Sequence, residues 1–497
     1  MLPRNKLFVS LWQNKATMES IIGRKKEQKE LERIYNSNKA EFVVVYGRRR
    51  VGKTYLVREY FQDRLDFYHT ALSPIELGDE SLAEKQLQAF YHSLKRYGAV
   101  DIEKKPADWF EAFEMLITLL ESKGKDKRLV VFIDELPWMD TSRSGFITAF
   151  EHFWNGWAAG KKHIMLIVCG SATSWISDKL LQNKGGLYGR TTHEMHLSPF
   201  TLGECEEYMK SEGIIMDRYE QLQCYMAMGG IPYYLSYINK GESLTQNIDR
   251  LFFDKKGKLR GEFERLYASL FTNPEKYIKI IKLLSQKREG YTREEIAQET
   301  GLPYGGGLTK MLRALESSDF IMHYVYYKHT VREVYYKLTD LYTLFYLYFI
   351  DKKNAGPNFW KNNLMSPALN AWRGLAFEEV CFVHREKIKQ ALGIAAVQAE
   401  ISPWRSKSSE GERAQIDMLI DRADRVVNIC EMKYSTNDYT IDKKYDAEIR
   451  RKLDVFANET HCRKALHTTL VTTYGLVQNE YSGRIQNVIT MDSLFDD

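Results

Sequence analysis

The first third of the chain alternates short apolar runs with longer segments of mixed polarity. Three of these runs predict buried β-strands, and each is followed at once by glycine or polar residues: Phe42–Tyr46, Leu129–Ile133 and Met165–Gly170. Continuous apolar strands that alternate with helical segments are typical of a parallel sheet covered by helices. We therefore expect an α/β domain in this part of the chain.

Between residues about 270 and 350 the pattern changes to short helices followed by aromatic-rich strands. Three helices and then two strands are expected, at 277–285, 292–300, 308–320, 324–327 and 334–338. This order of elements predicts a winged-helix domain. Only Lys310 and Arg313 are basic on the helix that would enter a DNA groove. The domain is therefore interpreted either as a DNA reader or as an intramolecular arm.

A third pattern begins after the break at Asn354–Pro357. A helix is expected around Trp372–Glu378, and residues 414–420 and 426–433 alternate as two strands joined by a charged turn. A C-terminal α/β domain is thus predicted for residues 353–497. The aromatic run Leu341–Ile350 is shorter than the roughly 20 apolar residues that a membrane-spanning helix needs, so no membrane partner is expected.

Composition adds little that would change this picture. The 497 residues suffice for about three domains, and a net charge of +5 neither requires nor excludes a nucleic-acid partner. The six cysteines include no CxxC pair, which fits a reducing compartment, so we expect a cytoplasmic protein. Residues 1–20 are interpreted as an N-terminal extension, with Met18 as an alternative start.

The first strand leads into a sequence that fits the pattern GxxxxGK[ST] without a mismatch, namely Gly47-Arg48-Arg49-Arg50-Val51-Gly52-Lys53-Thr54. In such a P-loop, backbone N–H groups turn toward phosphates, the lysine reaches the β- and γ-phosphates, and the last hydroxyl binds Mg²⁺. The loop therefore predicts an ATP site with Lys53 and Thr54 in these roles. The alternative is an ordinary turn rich in glycine and lysine.

Polar residues also follow the other two strands. Asp134 and Glu135 come directly after the second strand, and Ser171 follows the third. In a P-loop sheet the first carboxylate would hold the hydration shell of Mg²⁺, and the second would polarise the attacking water. Ser171 is interpreted either as a contact to the γ-phosphate or the water, or as a helix N-cap.

Together these features resemble the archaeal-type ATPase family of the AAA+/STAND group. The resemblance also rests on Ile22-Gly23-Arg24, Tyr188-Gly189-Arg190, Leu197–Phe200 and Gly229–Pro232. It implies that residues 21–240 form an ATPase core with a helical lid. It further implies nucleotide contacts from Gly23, Arg24, Arg190 and Pro232. Arg190 is the candidate for a γ-phosphate sensor or finger, and a structural or solvated arginine is the alternative.

The C-terminal hairpin carries charged residues at alternating positions. Glu431 and Lys433 share one face of its second strand, where Asp417 of the first strand can meet them. Two carboxylates that hold Mg²⁺ or Mn²⁺ beside a lysine that orients water are sufficient for phosphodiester hydrolysis. Asp, 13 intervening residues and Glu-x-Lys resemble the PD-(D/E)xK nuclease superfamily, with Ile416 in place of the usual proline.

This second resemblance implies a restriction-endonuclease-like fold and one more acidic ligand, for which Glu378 on the preceding helix is the candidate. The sequence thus favours an ATP-driven switch that controls, through linker helices and a winged helix in residues 241–352, a nuclease-like domain acting on DNA or RNA. The main alternative is a STAND-like sensor whose last domain binds nucleic acid or a protein without cutting. A solvated surface hairpin is also left open.

A third class of function is an AAA+ ring that remodels protein clients. It is disfavoured because the sequence shows no pore-loop motif. An oligomer of some kind is left open.

Overall fold

The computed structural model describes residues 21–74, 82–99, 104–181, 185–329, 333–351, 355–406 and 414–496. The expected N-terminal extension with Met18 lies outside these residues, as do residues 352–354. The chain divides into two compact units. The first ends at Pro199 and includes Leu266–Thr272, and the second comprises Phe200–Arg265 and the chain from Asn273 onward. The expected domain limits at 240 and 352 stay predictions.

The first unit is built on a sheet of five strands. These are β1 Glu41–Tyr46, β2 Leu65–Thr70, β3 Leu129–Asp134, β4 Ile164–Gly170 and β5 His193–His196. Their spatial order is β2-β3-β4-β1-β5, and every neighbouring pair is parallel. The predicted parallel α/β sheet is therefore confirmed.

Helices cover this sheet, which explains why β3 and β4 are buried along their whole length. The helices of the first unit are Lys25–Tyr35, Lys53–Phe61, Leu82–Arg96, Trp109–Ser122, Phe146–Gly156 and Thr173–Ile176. Aromatic side chains fill part of the space between strands and helices. The ring of Phe42, for example, lies 4.9 Å from that of Trp154.

The second unit begins with helices Leu202–Ser211, Arg218–Met228, Pro232–Leu235 and Leu244–Ile248. The residues of the next helix, Glu262–Leu270, are divided between the two units. Three helices follow at Pro274–Leu284, Arg293–Thr300 and Gly306–Ser317. Thr292 and Glu295 form the reciprocal capping box that opens the second of these three, since each satisfies a backbone N–H of the other.

A small antiparallel sheet of order β6-β8-β7 accompanies these helices. Its strands are β6 Tyr291–Thr292, β7 Ile321–Val325 and β8 Val334–Leu338. The three helices and the hairpin are therefore where the sequence placed them, within a few residues. The winged-helix assignment itself stays a prediction.

The remaining helices are Leu341–Phe345, Phe359–Asn362, Pro367–Val383, Arg385–Ala391, Lys443–Thr460 and Asp492–Phe495. They accompany a mixed sheet of β9 Ala399–Arg405, β10 Gln415–Arg422, β11 Val426–Lys433, β12 Ala465–Thr472 and β13 Asn487–Thr490. β9, β10 and β11 are antiparallel neighbours, whereas β11, β12 and β13 run parallel. The predicted hairpin is confirmed. No helix in the described ranges is long and apolar enough to cross a membrane.

Candidate functional site

The P-loop between β1 and helix Lys53–Phe61 depends on glycine. Gly47 has a φ angle of 137° and Gly52 one of 94°, and such angles are accessible to glycine at little cost. A Cβ atom on Gly47 would lie 2.4 Å from the carbonyl oxygen of Leu197. Because that oxygen belongs to the backbone, it cannot swing aside. The loop conformation therefore requires glycine at position 47.

Lys53 is buried, and its ammonium group contacts the backbone of the loop that precedes it. Nζ donates to the carbonyl oxygens of Gly47 at 3.0 Å and of Arg48 at 2.9 Å. Burial lowers the pKa of Lys53, and the negative charge of Glu135 partly opposes this shift. The loop thus holds a buried cation at its centre, which is a suitable arrangement for binding phosphate oxygens.

Thr54 and Asp134, the two candidate Mg²⁺-side residues, are in direct contact. The hydroxyl of Thr54 lies 3.1 and 3.0 Å from the two carboxylate oxygens of Asp134. The backbone N–H of Glu135 donates to the same carboxylate at 3.0 Å, and the thiol of Cys169 donates to it at 2.5 Å. Oxygen atoms of this kind are the ligands that Mg²⁺ prefers, so Thr54 and Asp134 fit the ion chemically.

Glu135 follows Asp134 with a left-handed backbone, at a φ angle of 50°. Its carboxylate accepts hydrogen bonds from the backbone N–H of Ser171 at 3.1 Å and from the Ser171 hydroxyl at 3.1 and 3.2 Å. Burial raises the pKa of Glu135 and outweighs the opposing effect of Lys53. The N-cap interpretation of Ser171 is wrong, because Ala172 is the N-cap of helix Thr173–Ile176.

Arg24 contacts the P-loop through its backbone. Its Nη2 donates to the carbonyl oxygen of Val51 at 3.1 Å and to that of Ser198 at 2.7 Å. Arg24 is buried and Gly23 before it has a φ angle of 63°. The guanidinium therefore ties the P-loop to the segment that follows β5. A nucleotide contact of Gly23 or Arg24 stays a prediction.

Two candidates remain, Arg190 and Pro232. Arg190 is an exposed residue of the first unit. Pro232 is the first residue of helix Pro232–Leu235 in the second unit. The turn before it is tight, since a Cβ atom on Gly230 would lie 2.3 Å from the carbonyl oxygen of Phe200. The nucleotide roles of Arg190 and Pro232 stay predictions.

The candidate nuclease residues of the second unit line one cavity of about 390 Å³ beside β10 and β11. Glu378, Asp417, Glu431 and Lys433 all contribute to its wall. The register of the hairpin explains the convergence, because Met418 pairs with Cys430 and the next residues outward are Asp417 and Glu431. The expectation that Asp417, Glu431 and Lys433 meet on one face of the hairpin is thus confirmed. The catalytic or metal-binding roles of these residues and of Glu378 stay predictions.

Two of these carboxylates share one cation. The guanidinium of Arg288 pairs with Glu378 and also lies 2.8 Å from a carboxylate oxygen of Asp417. Gln415 donates to Asp417 at 3.0 Å. Burial would raise the pKa of Asp417, but the charge of Arg288 and the hydrogen bonds from Arg288 and Gln415 outweigh it and hold the pKa below its usual value.

Glu431 has different partners. Nζ of Lys452 lies 2.8 and 3.1 Å from its carboxylate oxygens, and the hydroxyl of Tyr445 donates to it at 2.7 Å. Nζ of Lys433 is 4.0 Å away, and burial lowers the pKa of Lys433 although Glu431 opposes this. Across the described ranges, no three His, Cys, Asp or Glu side chains are grouped closely enough to hold a metal ion.

Sequence reasoning missed several side chains that contact the site residues: Cys169, Arg288, Gln415, Tyr445 and Lys452. Cys169 lies at the end of a strand that the sequence did predict, so its position beside Asp134 follows from the sheet order. Arg288 belongs to a charged turn, Lys287-Arg288-Glu289, which looks like an ordinary solvated loop. No local pattern connects that turn with Asp417.

Comparison with known proteins supports the first of the two sites. Residues 21–238 match the family model described as an ATPase domain predominantly from Archaea. An uncharacterized protein of Methanocaldococcus jannaschii is 29% identical over 305 residues, which cover 60% of this chain and 61% of that protein. The chain thus spans less than two thirds of this relative. An uncharacterized ATP-binding protein of the same organism is 46% identical over 43 residues, or 9% of this chain and 73% of that protein.

Solved structures show more distant likenesses. The Walker-type ATPase of Pyrococcus abyssi is 20% identical, with a TM-score of 0.47 over 66% of this chain and 96% of that one. A signal transduction ATPase with numerous domains and a tetratricopeptide repeat sensor, from Pyrococcus horikoshii, is 16% identical, with a TM-score of 0.30 over 75% of this chain and 50% of that one. The family match confirms the expected likeness of residues 21–238 to archaeal-type ATPase domains.

Proposed function

We propose that residues 21–240 bind ATP with Mg²⁺ and hydrolyse it. The observation that carries the proposal is the buried Lys53 ammonium inside the glycine-dependent loop, next to the Thr54–Asp134 pair. These groups follow β1 and β3, and the carboxyl ends of parallel strands are where α/β sheets bind ligands.

Each residue has a defined task in this proposal. Loop amides and Lys53 bind the β- and γ-phosphates, and Thr54 and Asp134 hold Mg²⁺. The ion, when bound, neutralises charge that develops on the phosphates. Glu135 accepts the proton of the attacking water, and Ser171 fixes the orientation of its carboxylate. A pKa raised by burial suits Glu135 to this task, because an effective general base has a pKa near the working pH.

The test of nucleotide binding is titration calorimetry with ATP and Mg²⁺. Lys53→Ala should lose measurable affinity, because the loop amides cannot replace a charge-assisted contact to the phosphates. Lys29→Ala removes an exposed lysine of helix Lys25–Tyr35 and serves as the matched control. ATP affinity that is the same in both variants would overturn the P-loop assignment.

A second function is proposed for the C-terminal domain, namely metal-dependent cleavage of DNA or RNA. Its support is that Asp417, Glu431 and Lys433 line one cavity, and that Glu378 and Asp417 already bind one cation in common. The guanidinium of Arg288 that they share supports the proposal, because it is a positive charge bound by both carboxylates.

In this structure Glu378, Asp417 and Glu431 are not grouped closely enough to hold an ion, and Asp417 and Glu431 are paired with Arg288 and Lys452. The proposal therefore requires that these pairs open before the three carboxylates hold Mg²⁺ or Mn²⁺, which would lower the pKa of bound water and neutralise phosphate charge.

In the same proposal, residues 241–352 transmit the nucleotide state to this cavity. Contacts within the second unit support such a route. The backbone N–H of Tyr327 donates to the carbonyl oxygen of Pro403 at 2.9 Å. The ammonium of Lys337 lies 2.6 Å from a carboxylate oxygen of Glu379, the residue that follows the candidate ligand Glu378. A domain that binds nucleic acid or a protein without cutting is the alternative. This alternative predicts that the C-terminal domain shows no metal-dependent cleavage of DNA or RNA.

A further inference from the structure

The position of Arg288 has a consequence for the C-terminal cavity. Arg288 lies in the turn between helix Pro274–Leu284 and β6, whereas Glu378 and Asp417 lie on helix Pro367–Val383 and on β10. Its guanidinium contacts both carboxylates. Arg288 belongs to residues 241–352, which we call the middle segment. Its side chain thus occupies the space between two residues that are proposed to bind metal.

The turn that carries Arg288 is fixed to the small sheet. Gly290 has a φ angle of 71°, and a Cβ atom there would lie 2.1 Å from the carbonyl oxygen of Tyr336. The hydroxyl of Tyr324 donates to the carbonyl oxygen of Glu289. The ammonium of Lys287 lies over the ring of Tyr291, 4.3 Å from its centroid. The backbone around Arg288 is therefore packed against strands β6, β7 and β8.

We propose that Arg288 is an autoinhibitory residue, whose guanidinium blocks metal binding by Glu378 and Asp417 until the side chain or the sheet that carries it withdraws. The proposal rests on the proposed nuclease function. It makes the middle segment the part of the chain that opens or closes the site, through one named side chain.

Electrostatics supports the exclusion. The guanidinium of Arg288, at 2.8 Å from Asp417, uses the carboxylate lone pairs that a divalent ion would need. In addition, the guanidinium and a divalent ion bound to the same carboxylate would repel each other strongly in a partly desolvated site. Metal and Arg288 therefore compete for Glu378 and Asp417. The ion pairs of Arg288 are with Glu378 and Asp417, whereas the partners of Glu431 are Lys452 and Tyr445. Removal of Arg288 therefore tests Glu378 and Asp417.

The test is the affinity of the full chain for Mn²⁺, measured by the electron paramagnetic resonance signal of free Mn²⁺ without any nucleotide or nucleic acid. Arg288→Ala should bind Mn²⁺ at least about tenfold more tightly than the wild type, as expected for removal of one adjacent positive charge. Adding Asp417→Asn should abolish the gain. Lys276→Ala, which removes an exposed lysine of helix Pro274–Leu284, is the matched control and should behave as the wild type.

Arg288→Lys keeps the positive charge and should remain close to the wild type, which separates loss of charge from misfolding. If wild type and Arg288→Ala bind Mn²⁺ equally and through Asp417, the autoinhibitory role is overturned while the metal site stands. If neither shows Mn²⁺ binding that depends on Asp417, both the autoinhibitory role and the proposed metal site are overturned. Circular dichroism melting curves of each variant establish that the chains compared are folded.

Discussion

Ser171 donates hydrogen bonds to the carboxylate of Glu135 from its backbone N–H at 3.1 Å and from its hydroxyl at 3.1 and 3.2 Å. The two residues follow neighbouring strands of the parallel sheet, β4 and β3. This pairing supports the proposed role of Ser171 as a positioning residue for Glu135. A contact of Ser171 with the γ-phosphate or the water stays a prediction.

This relationship predicts the pH dependence of ATP hydrolysis. Glu135 must be deprotonated to accept a proton, so turnover should fall as the pH drops through its pKa, which burial raises above the usual value. The hydrogen bonds from Ser171 lower that pKa. Ser171→Ala should therefore move the acidic limb of the kcat profile to higher pH and leave ATP affinity unchanged. A reduced affinity with an unmoved limb would instead indicate a contact of Ser171 with the nucleotide.

Arg24→Ala should weaken ATP binding, because Arg24 supports the P-loop. The side chain donates to the carbonyl oxygens of Val51 and Ser198, and hydrogen bonds from a charged donor contribute about 1.5–3 kcal/mol each. These bonds are internal to the protein, so only the part of their energy that preorganises the loop contributes to ATP binding, and we expect a Kd about tenfold weaker. Arg33→Ala, an exposed arginine of the same helix, is the control. Equal Kd values for the two variants would exclude the support role.

The proposed function of the C-terminal site predicts metal-dependent cleavage of nucleic acid that requires both a carboxylate, Asp417, and a lysine, Lys433. Asp417→Ala and Lys433→Ala should each abolish hydrolysis of DNA or RNA in Mg²⁺ or Mn²⁺, because one removes a metal ligand and the other the group that orients water. Binding of the nucleic acid, followed by fluorescence anisotropy, should change little. Cleavage is assayed with ATP, ADP and no nucleotide, and in the Arg288→Ala background.

Two outcomes would contradict this prediction. Cleavage that persists in Asp417→Ala would place the activity elsewhere or in a contaminant. A folded Arg288→Ala chain that cleaves neither DNA nor RNA under any of these conditions would favour the binding-only domain.

The arrangement of the candidate nucleotide site was largely predictable from the sequence, because its residues follow directly on apolar strands. Asp134 and Glu135 needed no tertiary knowledge beyond the rule that parallel strands end at one edge. The C-terminal hairpin was equally clear, since side chains two apart share a face. The sequence could therefore predict that Asp417 and Glu431 lie on the same side of the hairpin.

Contacts between distant segments were not predictable. Arg288 reaches Asp417 from a turn far away in the sequence, and Lys452 reaches Glu431 from a helix whose charges look solvated. These contacts depend on how the middle segment and the helix Lys443–Thr460 pack in the second unit. A single sequence contains no local pattern that specifies such packing.

The central claim is that Glu135 activates water for hydrolysis of ATP held by the P-loop. The most direct measurement is the release of inorganic phosphate from ATP by Glu135→Gln, with ATP affinity determined on the same sample. The account predicts an unchanged Kd and a rate that is lower by about 10²-fold or more, as for loss of a positioned general base. A rate within a few-fold of the wild type, at unchanged affinity, would contradict it.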